Sequence, residues 1–253
     1  MAAKSVSLIV IPARRQSTRL SEKMLLNETG KPLIVHTVEA AAGNSKTDSI
    51  IVATDDQEIL EAVEDSGSAA EMTSVDHISG TDRVAEVASR HPEFGIVVNL
   101  QGDEPEIPGA AIDLAISILE QNEDAMVATL ATPIRSKELL QDPACVKVVL
   151  DDRGRAMYFS RSPIPHARTW SDDLLDEEKA NFLQHVGLYA YRREFLLKFP
   201  DLPPCPSEKL ESLEQLRVLS AGYAIYVGLI DEPIFGIDTR EDYELFVRKC
   251  NSG

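Results

Sequence analysis

Val97-Val98-Asn99-Leu100-Gln101-Gly102-Asp103-Glu104-Pro105 decides the fold, because an apolar run stops abruptly at a polar turn. Ile96 to Leu100 is β-branched and mostly apolar, the composition of a strand buried on both faces. In open α/β sheets ligands gather beyond the carboxyl ends of such strands. Asp103 stands at that end, placed to hold a hard cation such as Mg2+ against phosphate oxygens. Read alone, an Asp-Glu-Pro turn serves equally well to cap a helix starting near Pro108. The segments on either side must decide between the two.

Working outward, Val6 to Ile11 reads as a first buried strand and Pro32 to Ala42 as a helix with proline near its first turn. Ser49 to Ala53 is a second strand, and the acidic Thr54-Asp55-Asp56 that ends it suits the start of a helix over Gln57 to Asp65. Ala69 to Met72 with a helix from Thr81 to Arg90, then Ile96 to Leu100 with a helix from Pro108 to Gln121, repeat the unit. Such alternation predicts an α/β fold, a mostly parallel sheet flanked by helices with right-handed crossovers. After Ala125 to Leu130 the rhythm loosens. Val146 to Leu150 and Ala156 to Phe159 read as a hairpin around Asp-Asp-Arg-Gly, and Gly187 to Tyr191 as a strand leading into a helix over Arg193 to Phe199. Ser207 to Ala221 reads as one helix with Leu210, Leu213, Leu216 and Leu219 along one side. A strand over Tyr223 to Ile230 and a helix over Thr239 to Lys249, with Thr239 and Asp242 as its capping pair, close the chain. Arg168 to Lys179 reads as a mobile excursion.

A chain of 253 residues can bury a sizeable core, and no Pro/Gly/Ser-rich linker divides it, so a single domain over 1–253 is expected. The formal charge of −17, with no basic stripe, argues against a nucleic-acid partner. The apolar runs are too short for membrane insertion and the N-terminus lacks a signal pattern, which reads as a soluble, cytoplasmic protein. Cys145, Cys205 and Cys250 are scattered and suggest neither a disulfide framework nor a zinc site.

An anionic ligand would need positive charge supplied locally, and the chain concentrates it just after the first strand. Pro12-Ala13-Arg14-Arg15-Gln16-Ser17-Thr18-Arg19-Leu20 is followed by Lys23 and by Gly30-Lys31-Pro32. Guanidinium groups bind phosphate oxygens in pairs, so this loop can wrap a triphosphate, although a cationic loop by itself is as readily a solvated surface. The Walker pattern and the dinucleotide glycine fingerprint are both absent. A second constellation, Asp76-His77-Ile78-Ser79-Gly80-Thr81-Asp82-Arg83, offers donors for a base or ribose where a Gly-Thr turn opens a helix; by itself that turn is ordinary structure. A third, Phe235-Gly236-Ile237-Asp238-Thr239, ends in a carboxylate that either supports the last helix or joins Asp103 on a cation.

Taken in order, Arg14 with Ser17-Thr18-Arg19-Leu20 and Lys23, Thr54-Asp55, Ser79-Gly80-Thr81-Asp82-Arg83, Gln101-Gly102-Asp103-Glu104-Pro105, Ser160-Arg161, His185-Val186-Gly187-Leu188-Tyr189, Leu213-Glu214-Gln215-Leu216-Arg217 and Gly236-Ile237-Asp238-Thr239 carry a resemblance. Over roughly Val6 to Val247 the chain resembles the 3-deoxy-manno-octulosonate cytidylyltransferases, the CMP-Kdo synthetases of lipopolysaccharide synthesis. The resemblance implies a nucleotidyltransferase fold and an Mg2+-dependent reaction of CTP with the sugar acid Kdo, giving CMP-Kdo and pyrophosphate. It implies that Arg14, Ser17 and Lys23 hold the triphosphate, that Ser79, Gly80, Thr81 and Arg83 line the cytidine side, and that Asp103 and Asp238 bind the metal. Gln101, Arg161, His185, Tyr189, Glu211 and Gln215 fall on the sugar-acid side, and spacing does not choose among Glu211, Glu214 and Gln215. His185 is the rival candidate for a base, though the metal-bound hydroxyl makes a protein base unnecessary.

The family further implies a homodimer formed near Ser160 to Tyr191. It also implies a nucleotide-binding part over about 1–130, a sugar-binding part over about 131–230 and a C-terminal metal-binding part over about 231–253. The chain departs from the family's Pro-Gly-Lys-Pro with Ser21-Glu22-Lys23-Met24, and its Pro206-Ser207-Glu208-Lys209 leaves room for a related acid such as 8-amino-Kdo or an acylneuraminate. A nucleotide-sugar glycosyltransferase is disfavoured because a sugar diphosphate needs fewer cations than this loop offers. A non-catalytic sensor is disfavoured because binding alone needs no pair of metal carboxylates.

Overall fold

Buried strands alternating with helices assemble the first half of the chain, and the computed structural model describes residues 6–15, 20–47, 49–176 and 180–252. β1 (Ser7–Ala13), α1 (Leu33–Ala41), β2 (Ser49–Thr54), α2 (Gln57–Asp65), β3 (Ala69–Met72), α3 (Gly80–Arg90), β4 (Ile96–Asn99) and α4 (Gly109–Gln121) follow one another as expected. Local chemistry fixes where the helices start. Asp56 accepts from the backbone N–H groups of Glu58 and Ile59, and Ser79 with Asp82 forms a capping box, so each satisfies donors that a first turn leaves open.

β5 (Ala125–Pro133), α5 (Lys137–Gln141), β6 (Lys147–Leu150), β7 (Ala156–Ser160), α6 (Asp173–Asp176), β8 (Leu183–Arg192), α7 (Arg193–Leu196), α8 (Pro206–Glu211), α9 (Gln215–Ser220), β9 (Ala224–Leu229) and α10 (Arg240–Ser252) complete the chain. The sheet runs β3-β2-β1-β4-β8-β5-β9. β1, β2, β3 and β4 pair parallel, β5 pairs parallel with β9, and β8 lies between β4 and β5 antiparallel to both. Every strand of that path except β8 therefore shares one direction. The expected hairpin forms from β6 and β7, and β6 also pairs with β8.

Alternating residues of β1 explain why its sequence is apolar throughout. Ile9 and Ile11 join one core layer with residues of α1, α2 and α4, while Leu8 and Val10 join the other with α3, α7 and α9. Among the described residues no helix is long and apolar enough to cross a membrane, and the three cysteines are free.

Three elements differ from the reading of the sequence. The single helix over Ser207 to Ala221 is broken, because Ser212 ends α8 in a left-handed conformation with φ 51° and ψ 50°. The turn buries Leu213 and Leu216 through α9 but leaves Leu210 87% exposed, so the leucines do not share one face. The helix expected over Arg193 to Phe199 stops at Leu196 and gives way to a tighter turn over Phe199–Asp201, in which Pro200 removes a backbone donor. β8 starts at Leu183 rather than Gly187, which places His185 within the strand. In the Arg168 to Lys179 excursion, Trp170 stacks on Phe182 with ring centroids 6.0 Å apart and Leu175 is buried, while residues 177–179 lie outside the described chain.

Candidate active site

A glycine fixes the turn that follows β4. A Cβ on Gly102 would lie 3.2 Å from the Pro12 carbonyl oxygen and from Met24 Sδ, and 3.3 Å from Ile34 Cδ1. The position is thus reserved for a residue without a side chain. Thr37 Oγ1 donates to the Gly102 carbonyl at 2.8 Å, so the turn after β4 is clamped from below and Asp103 is carried past the strand end. From the far end of the sequence, Ile237 N–H donates to the Asp103 carbonyl at 2.8 Å and brings Asp238 alongside.

Lys23 joins the two acids. Its ammonium lies 2.5 Å from Asp103 Oδ2, 2.7 Å from the Ile237 carbonyl and 3.5 Å from Asp238 Oδ1, and the residue is only 5% exposed. Among the described residues no cluster of three or more His, Cys, Asp or Glu could by itself cage a metal. Two carboxylates around one cationic centre are nonetheless the donor set that suits Mg2+, which keeps several waters and takes its remaining ligands from phosphates. The two converging carboxylates favour positive charge at this spot, which the Lys23 ammonium supplies in this structure, and Asp103 with Asp238 fit a divalent ion in its place.

Arg14 directly follows β1, and its Nη2 is buried and unpartnered among the described residues. A buried guanidinium nitrogen without an acceptor is costly unless an anion supplies one. Arg15 instead turns outward to Glu22, Asp56 and Glu58. Ser17 lies outside the described residues. Glu22, which stands where the family's pattern carries glycine, adopts φ 53° and ψ 27°, a left-handed backbone. The left-handed turn is taken here by a residue that carries a Cβ.

Glu104 sits directly behind Asp103 with its Oε2 buried and unpartnered among the described residues. Burial, reinforced by the neighbouring Asp103 charge, pushes its carboxyl up to about 8. Gly187 of β8 packs beside it, the place of a Cβ there being 3.9 Å from Glu104 Oε1.

On the expected cytidine side, Ser79 and Gly80 open α3, with the place of a Gly80 Cβ 3.5 Å from Pro12 Cγ. Ser79 Oγ is engaged as the helix cap, accepting from Asp82 N–H at 3.1 Å. Thr81 Oγ1 donates to Glu214 Oε2 at 2.5 Å and so ties α3 to the approach of α9. Arg83 is not on the site surface. It is 0% exposed, donating through Nη2 to Asp55 Oδ2 at 2.6 Å and through Nη1 to Thr73 Oγ1, so it braces the loops behind the site.

On the expected sugar side, Gln101 is half-buried at the end of β4 and its carbonyl accepts from Glu104 N–H at 3.3 Å. Arg161 and Glu211 are brought together. Glu211 accepts from Ser160 Oγ at 2.7 Å and from Arg161 N–H at 2.9 Å, and the Arg161 guanidinium donates to the carbonyls of Glu211, Pro143 and Ser212. Lys147, fully buried in β6, donates to the carbonyls of Asp142, Cys145 and Arg161 and holds this knot from beneath.

His185 Nε2 lies 2.9 Å from Thr129 Oγ1. The Thr129 proton has the carbonyls of Val186 and Leu188 as acceptors, which leaves its oxygen to accept from His185 Nε2–H. Burial pushes the imidazole down to about 3, so it is neutral near pH 7 and a weak base. Tyr189 stacks on Tyr191 with centroids 5.8 Å apart, its hydroxyl pushed up by burial, and Gln215 is buried at the start of α9. Lys147, Thr129 and Glu104 carry structural weight that reading the sequence did not assign. A lysine inside a run expected to be a buried strand was the available signal for the first.

A sheet of this order with acids and cations at its strand ends defines a nucleotide-handling α/β protein. Comparison narrows the class. A family model described as cytidylyltransferase matches residues 8–226. A 3-deoxy-manno-octulosonate cytidylyltransferase of Rhodopirellula baltica is 48% identical over 97% of this chain and 98% of its own, and one of Halorhodospira halophila is 45% identical over 96% of each. A solved CMP:2-keto-3-deoxy-manno-octonic acid synthetase complexed with CTP superposes with a TM-score of 0.90 at 41% identity, over 98% of this chain and 99% of that one. The chain belongs to the 3-deoxy-manno-octulosonate cytidylyltransferase family.

Two substitutions check this geometry. A left-handed backbone costs a residue with a Cβ about 1–2 kcal/mol, whereas the exposed Glu22–Arg15 pair contributes at most about 1 kcal/mol. Both Glu22→Gly and Glu22→Ala lose the pair, but only glycine relieves the backbone. Denaturant unfolding should find the glycine variant more stable than the alanine variant by about 1 kcal/mol; equal stability would remove the strained turn. For Glu104, both folded and unfolded chains are protonated below about pH 4.5, and between there and about 8 the unfolded chain loses the proton first, so stability falls as the pH rises. Glu104→Gln should therefore gain on the wild type by more than about 1 kcal/mol between pH 5 and pH 8. A pH-independent difference would mean the carboxyl is not held protonated.

Proposed function

We propose that this chain couples CTP to 3-deoxy-manno-octulosonate, releasing pyrophosphate and forming the CMP-sugar used in lipopolysaccharide synthesis. The observation that carries the reading is the meeting of Asp103 and Asp238 around one cationic centre, together with an Arg14 nitrogen that is buried and unpartnered among the described residues, in a chain of this family.

The sugar's anomeric hydroxyl attacks the α-phosphorus in line, the new P–O bond forms as the α,β-anhydride bond breaks, and pyrophosphate carries the electron pair away. Mg2+ held by Asp103 and Asp238 would supply Lewis acidity to the hydroxyl and to the α-phosphate, lowering the hydroxyl's pKa. Arg14 and Lys23 neutralise the charge that builds on the leaving pyrophosphate. Ser17, three positions after Arg14 in the sequence, is assigned to the same triphosphate role.

The backbone at Ser79, Gly80 and Thr81 offers the N-terminus of α3 to the nucleotide, and Arg83 keeps that end in place through Asp55 and Thr73 rather than touching the ligand. Gln101, Tyr189, Gln215, Glu211 and the remaining donors of Arg161 take the sugar acid. His185 orients rather than deprotonates, because its proton affinity is too low for a general base. The nucleotide half over about 1–130, the sugar half over about 131–230 and the closing segment over about 231–253 correspond to these roles. A homodimer forms through the region near Ser160 to Tyr191.

Pyrophosphate release is measured with CTP, Mg2+ and Kdo against 8-amino-Kdo, N-acetylneuraminate and no sugar. Release with Kdo alone is expected. Release only with another acid moves the substrate, and release with none leaves a nucleotide sensor. Asp103→Asn should lower turnover by about 10²–10³ with unchanged circular dichroism; near-normal turnover would remove Asp103 from the metal site. Gel filtration with light scattering should give twice the chain mass, and a monomer at working concentration overturns the dimer.

A further inference from the structure

We propose that Lys23 is an internal counter-ion that occupies the divalent-cation position between Asp103 and Asp238 until a nucleoside triphosphate draws its ammonium away. The cation and the nucleotide then bind as a linked pair. This inference deepens the reading of Asp103 and Asp238 as metal ligands and rests on it.

The geometry is that of a filled site. The ammonium is 2.5 Å from Asp103 Oδ2, 2.7 Å from the Ile237 carbonyl and 3.5 Å from Asp238 Oδ1, so it is bound by the very groups that would face the ion. Magnesium sits about 2.0–2.1 Å from a carboxylate oxygen, and a nitrogen already in hydrogen-bond contact with that oxygen excludes it. The side chain is 7% exposed, so this placement is not one of many surface rotamers.

The backbone explains why lysine points inward. The left-handed Glu22 turns the chain, Leu25 N–H donates to the Glu22 carbonyl at 2.9 Å to close the turn, and Met24 packs against Gly102 beneath Asp103. The four-carbon stem then lets the head move without moving that turn.

Charge decides the direction of exchange. The ammonium already neutralises part of the charge of the two carboxylates, and a divalent ion arriving alone must expel it or sit against it. A triphosphate offers the displaced ammonium several anionic oxygens, and would offer them equally to Arg14 Nη2, which lacks an acceptor among the described residues. Each ligand thus lowers the cost of the other, and thermodynamic linkage makes that coupling reciprocal.

Metal binding is read directly by titrating the full-length protein with Mn2+ and following the free-ion electron paramagnetic resonance signal without nucleotide. Wild type should bind weakly, whereas Lys23→Met and Lys23→Gln should each bind about tenfold tighter or more, within the 5- to 150-fold span of ordinary coupling energies. Affinities within twofold of wild type overturn the proposal. Adding Asp103→Asn to Lys23→Met should abolish the gain; a gain that survives places the ion elsewhere and also overturns it.

Thermal unfolding gives a second readout that needs no activity. Mg2+ alone should raise the midpoint of the Lys23 variants and leave that of wild type unmoved, and equal shifts overturn the exchange. Pyrophosphate release by wild type from CTP and Kdo is scored in parallel. Its failure with the Mn2+ pattern intact faults the reaction, whereas normal release without the Mn2+ pattern faults only the exchange.

Discussion

Bringing like charges from distant parts of the chain to one point is the constraint on which this molecule turns. Asp103 ends a strand in the first half of the chain and Asp238 precedes the last helix, and both reach Lys23, 80 and 215 residues away respectively. Unneutralised, two carboxylates at that spacing would disfavour the folded state, and Glu104 behind them would add a third. The protein meets the constraint in two ways. It places a buried ammonium between the first two acids, and it buries the third deeply enough for that carboxyl to keep its proton. The same arrangement serves chemistry, because a spot that must hold positive charge to fold will also accept it from a ligand.

The reversal of β8 solves a different problem. A wholly parallel sheet brings its strand ends to one edge, and the groups beyond those ends then stand on loops. By running β8 back between β4 and β5, the chain sets His185 near the end of β5 and Tyr189 opposite both Asn99 and Thr129. Those side chains stand on a strand within the sheet rather than on a loop, and rigid elements hold a constellation more closely than loops do. The β6–β7 hairpin, paired to β8 through β6, then carries Ser160 and Arg161 to Glu211. The Arg161–Glu211 side is thus braced by strand pairing, with Lys147 closing the carbonyls beneath it.

What could be read from residues alone follows from where local rules suffice. The first four strands and their helices were legible because each apolar run is bounded by residues that cap or turn, such as Asp56 and Ser79. The direction of β8 was not, because a strand buried on both faces looks the same whichever way it runs. The break at Ser212 was hidden for a related reason. Leucines at positions 210, 213, 216 and 219 satisfy a helical period, and no glycine or proline marks the left-handed residue that turns Leu210 to solvent. That Asp103, Asp238 and Lys23 meet fits the way strand ends in α/β sheets gather polar groups. Arg83 could not be told from a ligand contact, since an arginine after a Gly-Thr turn reads alike whether it faces a phosphate or, as here, Asp55.

The Glu22 turn shows that a backbone conformation can persist when the residue that makes it easy is lost. In the family's pattern glycine precedes the lysine, and glycine takes φ > 0 without penalty. Here glutamate holds φ 53°, with its carboxylate drawn to Arg15 at 2.7 Å, and Lys23 still arrives between Asp103 and Asp238. The simplest account is that the position of the ammonium is worth more than the strain of the turn. A neutralised pair of acids touches two ends of the fold at once, whereas a single left-handed residue costs about 1–2 kcal/mol. Local propensity yields where a long-range charge contact depends on it, and a residue-by-residue departure from the family can therefore leave the site's geometry in place.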